Sequence, residues 1–287
     1  MPEATIGVIG GSGLYAMEGL ADIEEHRLST PYGEPSDAFV LGTLRGRRVA
    51  FLPRHGRGHR LNPSEVPARA NIYAFKQLGV RYLISVSAVG SLRDDYAPGH
   101  VVVPDQLFDR TRGHRPDTFF EGGVVAHVAF DRPFCPELSA RLYDAALAAG
   151  ATVHRGGTLV VMEGPAFSTK AESEENRRRG HSLIGMTALP EAKLAREAEI
   201  AYATLAMVTD YDVWHPDHDS VTVEAVMSVL QANVALSQRI VAEAVERIGD
   251  GFVSPAHSAL ATAIVTDRAA IPAETRERLR LIAGRYL

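Results

Sequence analysis

The sequence predicts an α/β fold in a single domain, with a largely buried central sheet flanked by helices. Short apolar runs rich in β-branched residues alternate with helical stretches along all 287 residues. Hydrophobic residues make up 46% of the chain, enough for a sizeable core. No repeat, low-complexity segment or linker divides the sequence, so we expect one domain over residues 1–287.

The elements can be assigned in chain order from apolar periodicity and turn residues. The predicted strands are TIGVIG, RVAFLPR, VRYLISVSAVG, HVVVPD, GTLVVMEG and ATLAMVTD. The predicted helices are VPARANIYAFKQLG, PELSARLYDAALAAG, AESEENRRRG, PEAKLAREAEI and a long one from about Thr222, with an apolar face from Val223 to Ile248. Residues 250–287 have the weakest pattern and end in a short predicted helix.

Composition argues against several partners and sites. The net charge of −5 gives no electrostatic reason to expect nucleic acid or a membrane as partner. The single cysteine, Cys135, excludes an internal disulfide and a multi-cysteine zinc site. The N-terminus has no signal-peptide pattern, and no apolar run approaches the ~20 residues of a membrane helix. We therefore expect a cytoplasmic protein.

The first motif, VIGGSGLYA, is a glycine turn after a strand. Its backbone N–H groups and the Ser12 hydroxyl could face a phosphate. Gly11, Gly13 and Ala16 also fit a weak dinucleotide pattern, but the polar stretch that follows lacks the helix and strand this requires. A turn without a ligand is the third interpretation.

The second motif, FLPRHGRGHR, ends a strand in Arg54 and His55 and continues as a basic loop. The Arg54 fork suits phosphate, and His55 could add a donor. A solvated basic loop is the alternative. A metal pair of His55 and His59 is disfavoured, because the glycines oppose the helix that would align them.

Two further motifs place hydroxyls where ligands gather. ISVSAVGSL carries Ser85 and Ser87 near the carboxyl end of a strand, although neighbouring backbone could satisfy both. LIGMTALPEAKLA puts Thr187 near a helix N-terminus, where an anion is favoured, unless it is only a cap. Met186 could pack on a sugar or fill core.

The motif MEGPAFSTKAES holds Phe167 in a turn, where it could stack on a flat ring or pack as a core aromatic. Farther along, a run of acids and histidines resembles a metal site; the run consists of His215, Asp217, His218 and Asp219. A solvent-facing loop is the simpler interpretation of this run. We predict no metal site.

The apolar run in ATLAMVTDYD ends in two acids, Asp210 and Asp212, which are separated by one residue. Residues two apart on a strand face the same way, so both acids could address one ligand. An Asx-type turn that closes the strand is the alternative.

Taken together, six segments resemble the trimeric nucleoside phosphorylases over about residues 6–248: VIGGSGLY, RHGRGH, PDQLFDRT, EGPAFST, MTALPEAKLARE and TDYDVW. The resemblance implies a mixed sheet, a homotrimer and no metal or organic cofactor. It implies phosphorolysis, in which inorganic phosphate is the co-substrate and methylthioadenosine the expected nucleoside. A related enzyme for methylthioinosine, inosine, guanosine or another 5′-modified adenosine is the alternative.

The resemblance also implies roles for particular residues. Those implied to bind phosphate are Ser12, Arg54, His55, Ser87, Ala88 and Thr187. Those implied to bind the nucleoside are Met186 at the ribose, Phe167 at the base and His127, which would reach the 5′ pocket of a neighbouring subunit. Residues 250–287 are expected near that pocket or an interface. Ala166 departs from the family, which often has arginine there.

The chemistry of the bond assigns Asp210 and Asp212 to the purine. A leaving purine needs a proton or hydrogen bond at N7, and burial would let Asp210 hold that proton. A protonated carboxyl donates to N7 and accepts from a 6-amino group, so the aspartates favour 6-aminopurines. Asp212 would support Asp210 or contact the base through water.

Overall fold

The computed structural model describes residues 3–216 and 222–287. The described strands are β1 Ile6–Gly10, β2 Ala21–His26, β3 Phe39–Leu44, β4 Arg47–Pro53, β5 Tyr82–Ser91, β6 Val101–Val103, β7 Gln106–Asp109, β8 Val153–Arg155, β9 Thr158–Val161, β10 Leu183–Gly185 and β11 Ala201–Asp210. The described α-helices are α1 Ala68–Gln77, α2 Pro136–Ala148, α3 Lys170–Arg178, α4 Ala188–Glu197, α5 Val223–Ile248, α6 Ala273–Arg278 and α7 Arg280–Ala283.

The strands form one mixed sheet, as expected, with β5 at its centre. Strand β5 pairs in parallel with β1 and β11 and antiparallel with β10. The order runs β2-β3-β4-β1-β5-β10-β9-β7, and β11 branches from β5 to carry β6 and β8. The carboxyl ends of β1, β4, β5 and β11 therefore meet at one edge.

Helices cover both faces of the sheet, which explains the continuous apolar runs of the central strands. One core cluster takes in Ile72 of α1 and Leu194 of α4. The other takes in Leu142 of α2 and Val245 of α5. The weakly patterned C-terminal region is also packed, since Leu260 and Leu279 belong to the first cluster.

The structure differs from the sequence expectations mainly at edges and ends. Five of the strands were not predicted from the sequence, namely β2, β3, β7, β8 and β10. Most of these are short or largely polar, so hydrogen bonding to neighbouring strands, rather than a hydrophobic pattern of their own, makes them strands. The apolar face expected for all of α5 is covered only in its later part, because Val223 is 63% exposed whereas Val241 and Ile248 are buried.

We expect the stability of the fold to fall between pH 5 and 8 because of Glu197. This last residue of α4 is 6% exposed, and its carboxylate accepts from Thr118 Oγ1 and Phe119 N, each at 2.7 Å. Burial raises its pKa to about 7 against those two donors. Between about pH 4.5 and pH 7 the folded chain therefore binds more protons than the unfolded chain. The free energy of unfolding should fall by about 3 kcal/mol as the pH rises through this range.

Denaturant unfolding at pH 5 and pH 8 measures this effect. Glu197→Gln keeps the shape but cannot ionise, so its free energy of unfolding should depend less on pH than that of the wild type. The matched control is Glu274→Gln, at an exposed position. Equal pH dependence in the wild type and Glu197→Gln would contradict the assignment.

Candidate functional site

The hydroxyls of Ser87 and Thr187 meet at the carboxyl edge of the sheet. Strand β10 runs back along β5, which brings Thr187 Oγ1 to 3.3 Å from Ser87 Oγ. Thr187 precedes α4 but does not cap it through its side chain, so its hydroxyl is not used by the helix. Ala88 follows Ser87 on β5 and is half-buried. The pair offers hydroxyls to an anion, but Leu189 has non-helical φ and ψ of −120° and 137°, so the first N–H groups of α4 do not form a regular helix N-terminus.

Arg54 lies under this edge in a buried ion pair that the sequence did not reveal. Its Nε and Nη2 donate to the two Glu191 oxygens at 2.9 and 3.1 Å, and both side chains are 3% exposed. Arg54 Nη2 also donates to Ser85 Oγ at 2.7 Å, and Nη1 donates to the Val86 carbonyl. Tyr202 donates to Glu191 at 2.8 Å. One Nη1 hydrogen of Arg54 remains without a partner among the described residues.

His55 is neutral, which changes the role expected for it. Burial, followed by the charge of Arg54, lowers its pKa to about 4. Its Nδ1 lies 2.9 Å from the Leu61 carbonyl, so Nδ1 carries the hydrogen and Nε2 is an acceptor. In the ligand-free protein the ring therefore offers an acceptor at Nε2, where the sequence analysis expected a donor. The ring stacks on His59 at 4.4 Å rather than sharing a metal with it.

Arg115 is a buried cation that sequence reasoning missed. Its Nη1 donates to the Met186 and Leu189 carbonyls at 2.6 and 2.7 Å, on either side of Thr187. Its Nη2 donates to the Glu163 carbonyl at 2.6 Å. The guanidinium thus fixes the backbone that carries Thr187 and joins it to the segment after β9. Its motif, RGHRPD, has the composition of an ordinary basic loop and gave no signal.

Arg115 also supplies a positive charge at this edge, which Glu163 and Asp109 offset only from a distance. Arg54 is balanced by Glu191, and His55 is neutral. Among the described residues, no carboxylate lies within 4.0 Å of Arg115, although Glu163 acts on it from farther away. Arg54, Arg115 and Thr187 line one small cavity, so the charge faces the same space as the hydroxyl.

Asp210 ends β11 with its carboxyl mostly buried. Its Oδ2 accepts from Thr209 Oγ1 at 2.6 Å, and its Oδ1 accepts from the backbone N–H of Asp212 at 2.8 Å. Burial raises the pKa of Asp210 against these donors, and the charge of Asp212 adds to the rise. The turn proposed from the sequence is therefore present, and burial shifts the pKa of the carboxyl in the direction that the sequence analysis expected.

Asp212 does not stand beside Asp210 on one strand face, so that expectation is wrong. Strand β11 ends at Asp210, and Asp212 lies in the following turn with φ of +51°. Its Oδ2 is buried without a hydrogen-bond partner in the described part of the chain. Burial raises its pKa, while the Ser173 and Ser168 hydroxyls lower it. Asp212 supports Asp210 through its backbone.

Gly90 makes room for the Asp210 carboxyl. The pairing of β11 with β5 shifts between Val208 and Asp210, which places Asp210 opposite Gly90. A Cβ on Gly90 would lie 2.8 Å from Asp210 Oδ1 and 3.0 Å from Ile184 Cγ2. Only glycine leaves the carboxyl in this position.

The remaining predicted residues lie around the same edge or away from it. Met186 precedes Thr187, and its sulfur packs where a Cβ on Gly164 would lie. Phe167 is 41% exposed, so it is not a core aromatic. Ser12 begins a 3₁₀ turn after β1, but the structure does not describe its side chain. His127 is exposed in a loop, and Ala166 is exposed beside Phe167.

The acid and histidine run after β11 gives little further information. Asp217, His218 and Asp219 lie outside the described residues. His215 is described and stacks on Tyr211 with ring centroids 4.6 Å apart. Within residues 3–216 and 222–287, no group of three or more His, Cys, Asp or Glu side chains is arranged to hold a metal. No helix in the same two ranges could span a membrane.

Comparisons with known proteins indicate a family and an enzyme type. Residues 5–246 match the model of the family described as the phosphorylase superfamily. The chain is 78% identical to S-methyl-5′-thioadenosine phosphorylase of Chloroflexus aurantiacus, covering 100% of this chain and 99% of that protein. It is 60% identical to the enzyme of the same name from Geobacter sulfurreducens, covering 99% and 100%.

Solved structures are similar over nearly the whole chain. A methylthioadenosine phosphorylase from an antarctic soil metagenomic library superimposes with a TM-score of 0.94 at 50% identity, covering 98% of this chain and 99% of that one. Methylthioadenosine phosphorylase from Schistosoma mansoni in complex with adenine gives 0.82 at 35% identity, covering 86% and 92%.

We expect Gly90→Ala to displace the Asp210 carboxyl and to reduce turnover of the nucleoside expected from the sequence by at least about tenfold, because catalytic geometry is sensitive to shifts of this size. The matched control is Gly185→Ala, where a Cβ would meet only ordinary contacts at 3.4 and 3.5 Å. Steady-state kinetics and a melting curve of each variant measure the effect. Equal activity of the two variants would show that the position of Asp210 is not critical.

Proposed function

This chain belongs to the phosphorylase superfamily, and from that premise we propose that it catalyses the phosphorolysis of S-methyl-5′-thioadenosine. Phosphate attacks C1′ of the sugar, the bond from C1′ to N9 breaks, and adenine leaves with a proton at N7. The products are adenine and S-methyl-5-thioribose 1-phosphate. The observation that carries this proposal is the buried carboxyl of Asp210 near the Ser87–Thr187 hydroxyl pair.

The spacing along β5 supports a nucleoside between the two groups. Ser87 carries the hydroxyl of the anion end, and Gly90, three residues on, faces Asp210. Three residues of a strand span roughly 10 Å. A nucleoside with phosphate on its sugar side would bridge this distance, with Met186 beside the ribose and Phe167 beside the base.

At the anion end, phosphate would be held by hydroxyls and by a cation that has no carboxylate in direct contact. Ser12, Ser87 and Thr187 would donate to it, together with the backbone at Ala88 and the free Nη1 hydrogen of Arg54. His55 would accept through Nε2, which requires a hydrogen on the phosphate. The charge of Arg115 favours the anion and, with phosphate, offsets the positive charge that develops on the sugar.

At the purine end, Asp210 would act as general acid. The Thr209 hydroxyl lies 2.6 Å from Asp210 Oδ2 and 3.2 Å from the Val89 carbonyl, and it has one hydrogen to give. While Asp210 holds a proton, Thr209 can donate to Val89. When the proton moves to N7, Thr209 can turn and stabilise the carboxylate. Asp210 therefore has a hydrogen-bond partner in both protonation states.

The carboxyl also favours a 6-amino base. A protonated Asp210 would donate to N7, and Oδ1, which already accepts the Asp212 N–H, has a second lone pair for the 6-amino hydrogen. A 6-oxo group would bring an acceptor to an acceptor. A mismatch of this kind at a buried site can discriminate by ~10⁴ or more.

We extend the proposal to the setting of the enzyme. The enzyme would be a single-domain protein that forms a homotrimer in the cytoplasm. It would need no metal or organic cofactor. Its products would enter purine and methionine salvage. The exposed His127 would reach the 5′ group bound by a neighbouring subunit, and residues 250–287 would lie near that pocket. The resemblance in sequence supports the trimer, the single domain and the absence of a cofactor, and the single cysteine, Cys135, supports the cytoplasm.

The test is base release from methylthioadenosine, adenosine, methylthioinosine and inosine, each with and without phosphate. We expect turnover only with phosphate and fastest for methylthioadenosine. Equal rates without phosphate would indicate hydrolysis instead. Asp210→Asn should reduce turnover of methylthioadenosine by at least about a hundredfold and shift preference towards the 6-oxo bases, because an amide donates where they accept. Unchanged relative rates on the two bases would contradict the role of Asp210.

We predict that Arg115 positions the phosphate ligands. Arg115→Lys keeps the charge but cannot reach the Met186, Leu189 and Glu163 carbonyls together, so the KM for phosphate should rise by about tenfold while the KM for the nucleoside changes less. Arg115→Met loses the charge as well and should raise the KM for phosphate further. Arg179→Lys, at an exposed ion pair, is the matched control. A lower melting temperature with unchanged KM for phosphate would leave Arg115 a purely structural role.

A further inference from the structure

A second cavity, of about 360 Å³, opens at the opposite edge of the sheet from the candidate site. Arg81, in its wall, directly precedes β5, and Ser87 lies six residues farther along the chain. Six residues of a strand span roughly 20 Å, so one phosphate cannot touch both. The charged and titratable side chains in its wall are Lys76, Arg81, Glu199, His257, Arg280 and Arg285.

The one acid in this wall is already fully used. Glu199 is 4% exposed, and one of its oxygens accepts from Tyr286 Oη at 2.7 Å and from Leu260 N at 3.1 Å. Its other oxygen accepts from Arg285. Glu199 therefore balances Arg285 and has little capacity left for the other cations.

Two of the remaining cations have no acid beside them. Lys76 donates to the Ala198 carbonyl at 2.7 Å, and Arg81 donates to His257 Nδ1 at 3.0 Å. Within the described residues, neither side chain has a carboxylate within 4.0 Å. Arg280 makes only an exposed pair with Glu277, at 3.2 Å, on the rim. The wall thus holds two unbalanced cations and a third that is weakly paired.

The histidine and the lysine both reflect this excess of positive charge. Because His257 Nδ1 accepts from Arg81, its Nε2 carries the hydrogen and donates to the Arg81 carbonyl at 3.2 Å. The imidazole is therefore neutral. Burial lowers the pKa of Lys76, and the charges of Arg285 and Arg81 lower it further, while Glu199 opposes them.

We propose that this cavity, named the basic cavity, binds a small polyanion that carries phosphate groups. Its volume lies within the ~300–1,000 Å³ of small-molecule sites. Arginine forks and a lysine ammonium are the groups that bind phosphate oxygens, and three cations call for more than one negative charge. Leu281 and Ile282 add an apolar wall.

Helix α4 connects the basic cavity to the candidate site. Thr187 and Glu191 stand at the start of the helix, where the anion end of the site lies. The Ala198 carbonyl, which accepts from Lys76, and Glu199 stand at its end. A polyanion that binds Lys76 would therefore act on α4, the helix that begins beside Thr187.

The test uses inorganic pyrophosphate as probe, with isothermal titration calorimetry at low salt. The wild type should bind pyrophosphate. Arg81→Gln should bind it at least about tenfold more weakly at this site. Arg280→Gln, at an exposed position, is the second variant and should also bind it more weakly. Arg178→Gln, which removes an exposed arginine on α3, is the matched control and should bind as the wild type does. Turnover with phosphate should be unchanged in Arg81→Gln and Arg178→Gln, so the result does not depend on the proposed reaction.

Three binding results would overturn the proposal, and a citrate control would overturn its assignment to phosphate compounds. One is a wild type that does not bind pyrophosphate. Another is binding that Arg81→Gln and Arg280→Gln leave unchanged, which would place the probe at the candidate site. The last is an equal loss in Arg178→Gln, which would indicate attraction to net charge alone. Citrate serves as a carboxylate probe of similar charge, and equal affinity for citrate would refute the assignment to phosphate compounds.

Discussion

The buried ion pair of Arg54 and Glu191 is the interaction on which the rest of the site depends. It joins the end of β4 to the first turn of α4, and its further hydrogen bonds reach β5 through Ser85 and β11 through Tyr202. Breaking a buried pair by removing one partner costs about 3–5 kcal/mol, because the other charge is left unpaired. The pair thus fixes the parallel strand ends relative to α4, and with them the Thr187 hydroxyl.

The pair also determines how the anion end obtains its charge. Glu191 neutralises Arg54, and the nearness of Arg54, together with burial, keeps His55 neutral. A net attraction for phosphate then depends on Arg115, whose bonds go to backbone carbonyls rather than to carboxylates. A cation whose bonds go to backbone carbonyls has no carboxylate in direct contact, which suits a site that attracts an anion.

The purine end depends on a different constraint, which is space. Asp210 can lie in the sheet edge only because Gly90 has no side chain and because the ladder between β11 and β5 shifts just before it. Burial favours the protonated acid, while the Asp212 N–H and the Thr209 hydroxyl favour the carboxylate.

Local sequence patterns are enough to predict the α/β class, the central strands and helices, and the positions of Ser87, Thr187 and Asp210 at the ends of strands or beside a helix start. Each of these follows from local information: apolar runs, turn glycines and polar groups at strand ends. Only the tertiary structure decided which charges meet. Glu191 is separated from Arg54 by 137 residues, and a glutamate in the first turn of a helix is too common to signal a partner. Likewise, the direction of Asp212 and the protonation of His55 depend on a positive φ and on burial, which arise when distant segments pack together and leave no trace in the local pattern.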